Sequence, residues 1–273
     1  MLENIIKCVI FGLIQGFTEP LPISSSGHLV LLKYLFNTDA FDQGLTFEIL
    51  LNFASFIAIF FIFRKDIVKL IKSFFSYVFD KDKRQDKSIK KDFKYDLLII
   101  IGSIPAALCG VLFKDKIEAL LGSNIKVLGV AFIITSILLF IVRKMKGNKE
   151  DNDITYLDAI IIGLFEALAL TPGISRSGAV LVGCLLVHLS RDAALKYTFM
   201  LYLPVSFGAI MLSIKDLTTL DTSLIAPYIL GFIATLFMTY FASIWFFDIV
   251  KRGRLAKFSI YLLILGIIVL TLI

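Results

Sequence analysis

GLIQGFTEPLPISSSG at residues 12–27 aligns without gaps with GLFEALALTPGISRSG at residues 163–178, which lies 151 positions further along the chain. The pattern Ile-Ser-x-Ser-Gly occurs in both stretches, and Gln15 corresponds to Glu166. Each stretch is an apolar segment that ends at a turn rich in hydroxyl groups and glycine. We therefore predict an internal repeat with a polar turn at the same position in each half.

The composition indicates an all-α polytopic membrane protein. Of the 273 residues, 58% are hydrophobic, whereas soluble domains contain about 45–50% apolar residues. Six apolar segments are long enough to cross a bilayer, and we predict six full transmembrane helices in a single membrane domain, 1–273. These segments lie at about 45–63, 97–113, 125–142, 194–213, 225–248 and 257–273.

The largest polar insert, 64–96, lies between the first two of these segments. Its first part, Asp66–Phe79, places Lys69 and Lys72 among apolar residues, a pattern typical of an amphipathic helix in the membrane interface. Its second part, 80–92, is a dense run of charges, for which we predict a solvated loop.

Four further apolar pieces are too short to cross a bilayer. Ile5–Phe17 has 13 residues and would span about 20 Å of a hydrocarbon core of roughly 30 Å. Leu29–Phe36, Ala159–Leu170 and Ala179–Leu189 are shorter still. Because turn backbone exposed to lipid would lack hydrogen-bond partners, it must be covered by protein or water. We predict two re-entrant helix–turn–helix pairs, each hinged at one repeated turn.

The charge distribution predicts the topology. The net charge of +6 arises from loops between apolar segments, so it indicates orientation and no nucleic-acid partner is expected. The positive-inside rule places the basic loops in the cytoplasm, the loops 114–124 and 214–223 outside, and both termini outside. The halves, about 1–142 and 155–273, then form an inverted-topology repeat, which points to a central site. The basic loops are 64–96, 143–146, 191–196 and 251–254.

Polar residues at membrane depth cluster at the two turns, where we expect them to be functional. Arg176 provides a fork that suits phosphate oxygens, and the helices that begin at the turns direct N–H groups at an anion. A carboxylate and a histidine beside such a site make sense when a proton is moved, a hydroxyl is activated or a divalent metal is held. The candidates are Gln15, Glu19, Ser24, Ser25, Ser26, Gly27, His28, Gly173, Ser175, Arg176 and Ser177.

The motifs at 15–28 and 172–178 together closely resemble the undecaprenyl-diphosphate phosphatases of the bacitracin-resistance type. The resemblance covers nearly the whole chain. It implies a bacterial plasma-membrane enzyme, with its active site facing outside, that removes the terminal phosphate of a C55 polyprenyl diphosphate. The product is the monophosphate lipid carrier of cell-wall synthesis. It also implies the inverted-repeat fold and a divalent metal, Mg²⁺ or Ca²⁺, and we further expect a homodimer.

The resemblance also implies roles for the candidate residues. Catalytic roles fall on Glu19, Ser25, His28 and Arg176, and Gln15 with Glu19 would hold the metal. The nucleophile stays open between Ser25, His28 and a water molecule. Glu48 is a further candidate carboxylate. Phosphate contacts are expected from Ser24, Ser26, Gly27, Gly173, Ser175, Arg176 and Ser177.

Some positions depart from the pattern of these phosphatases. Gln15 stands where many relatives carry glutamate, which weakens a metal site made of two carboxylates. Glu166 stands where glutamine is frequent, and Pro20 replaces an aromatic residue. The stretch Asn52–Ser55 also differs from the usual one. These departures could shift substrate preference.

Two other functions compete with the phosphatase reading. A lipid flippase or transporter, or a dual phosphatase and flippase, would use the same inverted-repeat architecture. A second group of membrane phosphatases carries a histidine six residues after an arginine, but here Val182 follows Arg176 at that spacing and Tyr197 follows Arg191. The second group is therefore disfavoured.

Overall fold

The computed structural model describes residues 2–36, 44–113, 125–213 and 224–273, and these residues form ten α-helices with no strand among them. The all-α prediction is confirmed. The predicted outer loops 114–124 and 214–223 lie outside the described residues. The helices are α1 Leu2–Thr18, α2 Ser25–Phe36, α3 Gly44–Phe79, α4 Lys87–Leu112, α5 Lys126–Val142, α6 Tyr156–Leu168, α7 Arg176–Leu186, α8 Arg191–Ser213, α9 Ile225–Lys251 and α10 Ala256–Leu272.

Four helices, α3, α4, α8 and α9, are long and apolar enough to cross a membrane. A multi-pass helical membrane protein is thereby confirmed. Helices α5 and α10, which match the predicted segments 125–142 and 257–273 to within one residue, have 17 residues each. Helix α1 also has 17 residues, because it begins before Ile5, where we had predicted its start. Length alone therefore does not separate full crossings from short segments in this chain.

The structure corrects the prediction for the insert 64–96. Helix α3 continues without a break through Asp66–Phe79, so this stretch is not a separate interfacial helix. No glycine or proline separates the apolar part of α3 from this amphipathic part, so nothing ends the helix there. The Asp86 carboxylate caps α4, so the predicted loop 80–92 shrinks to 80–86, although the charged run is largely exposed.

The two short helix pairs, α1 with α2 and α6 with α7, end and restart at the polar turns, as predicted. The first turn covers residues 19–24 and the second covers 169–175. Ser24 Oγ accepts a hydrogen bond of 3.2 Å from Gly27 N, and Ser175 Oγ accepts one of 3.1 Å from Gly178 N. Each serine therefore caps the second helix of its pair, where free N–H groups need an acceptor.

Each short pair packs against a long helix of the other half of the chain. Helix α1 lies against α9, and α6 lies against α4. A Cβ added to Gly12 would lie 2.3 Å from the carbonyl oxygen of Gly231, and one added to Gly163 would lie 2.2 Å from that of Gly102. Since no side chain fits at these distances, glycine is required for the helices to approach so closely.

Helices α5 and α10 join the halves a third time. Ser136 Oγ donates to the carbonyl oxygen of Ser259 at 2.6 Å, and Ser259 Oγ donates to that of Ser136 at 2.8 Å. Both serines are buried. The exchange satisfies both hydroxyls inside an apolar contact, where an unpaired polar group is costly.

Ion pairs gather at one end of the helix bundle. Lys196, near the start of α8, lies 3.3 Å from Asp66 in the second half of α3 and 2.7 Å from Asp151. Lys149 lies 2.9 Å from Asp158 at the start of α6, and Lys69 lies 2.7 Å from Asp92. The late part of α3 and the early parts of α4, α6 and α8 therefore share this charged end.

Candidate active site

The first turn brings a carboxylate and a hydroxyl together. Gln15 Nε2 donates to Glu19 Oε2 at 3.0 Å and to Asn52 Oδ1 of α3 at 2.9 Å. Ser25 Oγ donates to the same Glu19 Oε2 in a short hydrogen bond. Gln15 and Glu19 are four residues apart, and their side chains are in direct contact. Glu19 is thus placed to take the proton of the Ser25 hydroxyl.

The backbone at Ser24 is held in an unfavourable conformation. Its φ is +68°, in the left-handed region that L residues other than asparagine and aspartate seldom adopt. Two contacts hold Ser24 in this conformation. Ser24 Oγ accepts a hydrogen bond from Gly27 N, and the Ser24 carbonyl oxygen lies 2.7 Å from His28 Nδ1. Strain of this kind is often kept at functional sites, and here it directly precedes Ser25.

The second turn contributes an arginine to the same place. Arg176 is the first residue of α7, and its Nη1 donates to Ser206 Oγ of α8 at 2.7 Å. Its guanidinium carbon lies 5.4 Å from the ring centre of Tyr202. Arg176 and Glu19 line one cavity of about 80 Å³. The other residues that line it are Ile49, Asn52, Tyr202, Ser206, Ala209 and Ile210.

This cavity lies away from the charged end of the bundle. Its α3 residues, Ile49 and Asn52, come from the first part of that helix, whereas Asp66 of the ion pairs comes from the second part. Its α8 residues reach Ile210 near the end of the helix, whereas Lys196 lies near the start. The cavity is therefore closer to the opposite face of the protein.

Ser175 and Ser177 connect the two turns. Ser177 Oγ donates to the carbonyl oxygen of Leu21 at 2.8 Å, and Ser175 Oγ lies 3.4 Å from the same oxygen. Gly173 has a φ of +87°, and a Cβ there would lie 2.8 Å from Ala131 of α5. These residues fix the second turn in position, while their predicted contacts with phosphate stay a prediction.

The remaining residues of the first turn have separate surroundings. Ser24 caps α2, Ser26 is exposed, and a Cβ on Gly27 would lie 2.6 Å from the ring of Phe132. The predicted phosphate contacts of all three stay a prediction.

His28 lies in a different cavity from Arg176. Its Nε2 is 2.7 Å from the hydroxyl oxygen of Tyr261, and the two rings stack with centres 5.8 Å apart. It lines an apolar cavity of about 650 Å³, formed by α1, the first turn, α2, α9 and α10, with Phe17 and Trp245 among its walls. His28 is not among the residues that line the cavity of Glu19 and Arg176.

Glu48, the additional candidate carboxylate, forms a short ion pair with Lys33 of α2. It does not line the cavity of Glu19 and Arg176.

Three polar residues that line the cavity were not among our candidates: Asn52, Tyr202 and Ser206. Ser206 stands 151 positions after Ser55, so the repeat offset continues into α3 and α8 and offers a signal for that position. Asn52 had been noted only as a departure from the family pattern. Tyr202 carries no signal of its own, since tyrosines are common in apolar helices.

Oxygen atoms suited to a hard cation meet beside Glu19. Gln15 Nε2 bonds both the Glu19 carboxylate and the Asn52 amide oxygen, so these two oxygens converge. Among the described residues, no three His, Cys, Asp or Glu side chains form a metal-binding group. The set fits Mg²⁺ or Ca²⁺ where phosphate oxygens supply further ligands, because Mg²⁺ is commonly bound by one or two carboxylates plus substrate phosphate.

The fold and site define a multi-pass helical membrane protein in which a carboxylate and a guanidinium line one small cavity, and the carboxylate accepts a hydrogen bond from a serine hydroxyl. Residues 8–268 match the family described as Bacitracin resistance protein BacA. The chain belongs to this family.

Several curated relatives are similar over almost their entire length. The chain is 45% identical over 269 residues to Undecaprenyl-diphosphatase 2 of Bacillus thuringiensis (strain Al Hakam), covering 97% of each. It is 44% identical over 269 residues to Undecaprenyl-diphosphatase 3 of Bacillus anthracis, again covering 97% of each. It is 40% identical over 270 residues to Undecaprenyl-diphosphatase of Oceanobacillus iheyensis, covering 98% of this chain and 96% of that one.

Proposed function

We propose that this protein is an undecaprenyl-diphosphate phosphatase, which hydrolyses the terminal phosphate of undecaprenyl diphosphate and releases the monophosphate lipid and inorganic phosphate. The observation that carries the proposal is the hydrogen bond from Ser25 Oγ to the Glu19 carboxylate. Glu19 and Arg176 line the same cavity. Membership of the BacA family supports the same function and predicts that the protein confers bacitracin resistance.

In the proposed reaction, Arg176 binds the oxygens of the terminal phosphate and stabilises the charge that develops on them. Glu19 takes the proton of Ser25 as Ser25 Oγ attacks the terminal phosphorus. The bond between that phosphorus and the bridging oxygen breaks, and the monophosphate lipid leaves. Water then cleaves the phosphoserine and releases phosphate. In the alternative path, Glu19 deprotonates a water molecule that attacks the phosphorus directly.

The nucleophile is better placed on Ser25 or water than on His28. Ser25 touches Glu19, whereas His28 contacts Tyr261 and lines the apolar cavity. The apolar cavity is large and lined mainly by aliphatic and aromatic side chains. It is therefore suited to bind the first isoprene units of the lipid. His28 would then contact the lipid near its head group.

A divalent ion, Mg²⁺ or Ca²⁺, would be held by Glu19, Gln15 and Asn52 together with phosphate oxygens. When bound, it would add positive charge that offsets the charge of the diphosphate. A chelator should abolish phosphate release. The ion that restores the release when it is added back, Mg²⁺ or Ca²⁺, is the one that the enzyme uses.

The proposed topology has six crossings, α3, α4, α5, α8, α9 and α10, and two re-entrant pairs in an inverted repeat. In each half, the first helix of the short pair crosses a long helix of the other half at two glycines. These close contacts, Gly12 with Gly231 and Gly163 with Gly102, support the repeat. The positive-inside rule assigns the charged end of the bundle to the cytoplasm. Both termini and the active site would then face outside the bacterial plasma membrane. A homodimer also stays a prediction.

The decisive experiment measures phosphate release from undecaprenyl diphosphate by the purified full chain in detergent. Release that depends on enzyme concentration and is lost with Arg176→Ala supports the proposal. An intact protein that releases no phosphate would contradict it and would favour a lipid flippase, because a flippase moves its substrate without cleaving it. Lipid movement in sealed vesicles then tests the flippase directly, and movement together with release would indicate a dual protein.

A further inference from the structure

Glu166 is a buried acidic residue near the end of α6. It is 1% exposed, and neither of its side-chain oxygens has a partner within the described parts of the chain. An ionised carboxylate in such a place is costly by several kcal/mol unless a positive charge pairs with it. In its ionised form, Glu166 therefore requires a cation close by.

The equivalent position in the other half is fully bonded. Gln15 is also 1% exposed, but its amide bonds Glu19 and Asn52. Position 15 thus bonds the Glu19 carboxylate, whereas position 166 places a carboxyl group among described residues that offer it no hydrogen bond. The two halves share this position and use it differently.

Arg176 is the cation that can serve Glu166. Arg176 lines two cavities: the cavity of about 80 Å³ that Ser206 also lines, and a cavity of about 10 Å³ that Glu166 also lines. In the described conformation Nη1 bonds Ser206. Because an arginine has five N–H donors in a rigid fork, rotation of the side chain can direct some of these donors to Glu166.

Among the described residues that line the small cavity, Arg176 is the only cation. The ionisable residues of this cavity are Glu19, Glu166, Arg176 and Tyr202, and its other walls come from Ser177, Val180, Thr198 and Phe199. Two carboxylates therefore share one arginine. A bound phosphate adds further negative charge, so it must compete with Glu166 for the guanidinium.

We propose that Glu166 is the resting counter-ion of Arg176 and competes with phosphate for it, which limits the affinity of the site for substrate and for released phosphate. This inference rests on the proposed function for its biological role, although the competition concerns phosphate binding alone. It assigns a role to a residue that stands where glutamine is frequent in this family.

The test uses the detergent-solubilised full chain and inorganic phosphate as the probe, with binding followed by the broadening of the ³¹P resonance. Glu166→Gln keeps the shape and removes the charge. We expect it to lower the Kd for phosphate about 10-fold, since a neighbouring like charge is removed from a poorly hydrated site. The KM for the lipid substrate should fall in parallel, with kcat changed less than KM.

Glu3→Gln is the matched control, because it removes the same charge from an exposed residue of α1 and should leave the phosphate Kd unchanged. Unchanged or weaker phosphate binding in a folded Glu166→Gln protein would overturn the proposal. If that variant does not fold, Glu166→Asp draws the carboxylate back from Arg176 and should lower the Kd by a smaller factor; unchanged or weaker binding there would overturn it as well.

Binding and turnover separate the two proposals. If the wild-type protein binds phosphate but hydrolyses nothing, the proposed function is wrong, and the phosphate Kd of Glu166→Gln still decides whether Glu166 competes with phosphate. If the enzyme is active and its phosphate Kd does not change with the substitution at residue 166, only the proposed competition is wrong.

Discussion

In the first turn, a capping serine is followed by Ser25, and in the second turn the same cap is followed by Arg176. The caps agree closely, with 3.2 Å from Gly27 N to Ser24 Oγ and 3.1 Å from Gly178 N to Ser175 Oγ. The first residue of each capped helix therefore occupies an equivalent place. One half supplies a hydroxyl beside Glu19 and the other supplies a guanidinium, so a repeated frame produces a site with opposite charges on its two sides.

The two turns also differ in backbone strain. Ser24 has a φ of +68°, whereas Ser175 is at −75°, within the ordinary range. The strained turn is the one that presents Ser25, a proposed nucleophile, and the relaxed turn presents Arg176, the proposed phosphate ligand. Strain therefore accompanies the half to which the proposal assigns the attack on phosphorus.

The most severe test of this comparison removes the guanidinium. Arg176→Ala should lower phosphate release by about 10³-fold or more, since an arginine at a transferring phosphoryl group contributes effects of that size. Arg252→Ala is the control, because Arg252 is exposed and pairs with Asp248 of its own helix turn. Near-normal turnover by a folded Arg176→Ala protein would rule out the proposed binding of the terminal phosphate by Arg176.

The next test removes the hydroxyl of the first turn. Ser25→Ala should reduce kcat by about 10²–10⁴-fold if Ser25 is the nucleophile or donates its proton to Glu19. Ser88→Ala, which removes an exposed hydroxyl at the start of α4, is the control. Trapping of a phosphorylated protein in the wild type, and its loss in Ser25→Ala, would distinguish Ser25 from water as the nucleophile.

A third test addresses the crossings that bring the turns together. Gly163→Val would force a side chain against the Gly102 carbonyl oxygen, and overpacking of this kind costs about 1–3 kcal/mol or more. The midpoint of thermal unfolding in detergent should fall accordingly, and Gly12→Val should behave alike. Gly208→Ala is the control, because a Cβ there meets nothing within 4 Å. Equal stability of all three variants would show that the close crossings do not matter.

The smallest expected effect separates the two caps. Ser175→Gly loses a cap from a relaxed backbone and should destabilise by a few tenths of a kcal/mol. Ser24→Gly loses the same cap but relieves a positive φ that costs about 1–2 kcal/mol in an L residue, so it should be neutral or stabilising. Urea unfolding of both variants measures the difference, and a larger loss at position 24 would contradict the account of strain.

Much of the fold could be predicted from local patterns. The apolar segments and the serine and glycine turns depend on neighbours in the chain, so the sequence predicts them. The end of α3 was misjudged because no residue between its apolar and amphipathic parts stops a helix. Charge alone does not break a helix.

The sequence by itself determined that the chain is a helical membrane protein with two equivalent polar turns, because hydropathy, turn residues and repeat offset are properties of the chain. Only the tertiary structure decided which side chains meet. Packing of α1 on α9 and of α6 on α4 sets the turns against each other, and rotation about each helix axis directs Arg176 towards Ser206 and His28 towards Tyr261. The unbonded state of Glu166 follows from that packing as well, since hydrogen-bond partners from distant segments leave no mark on a local pattern.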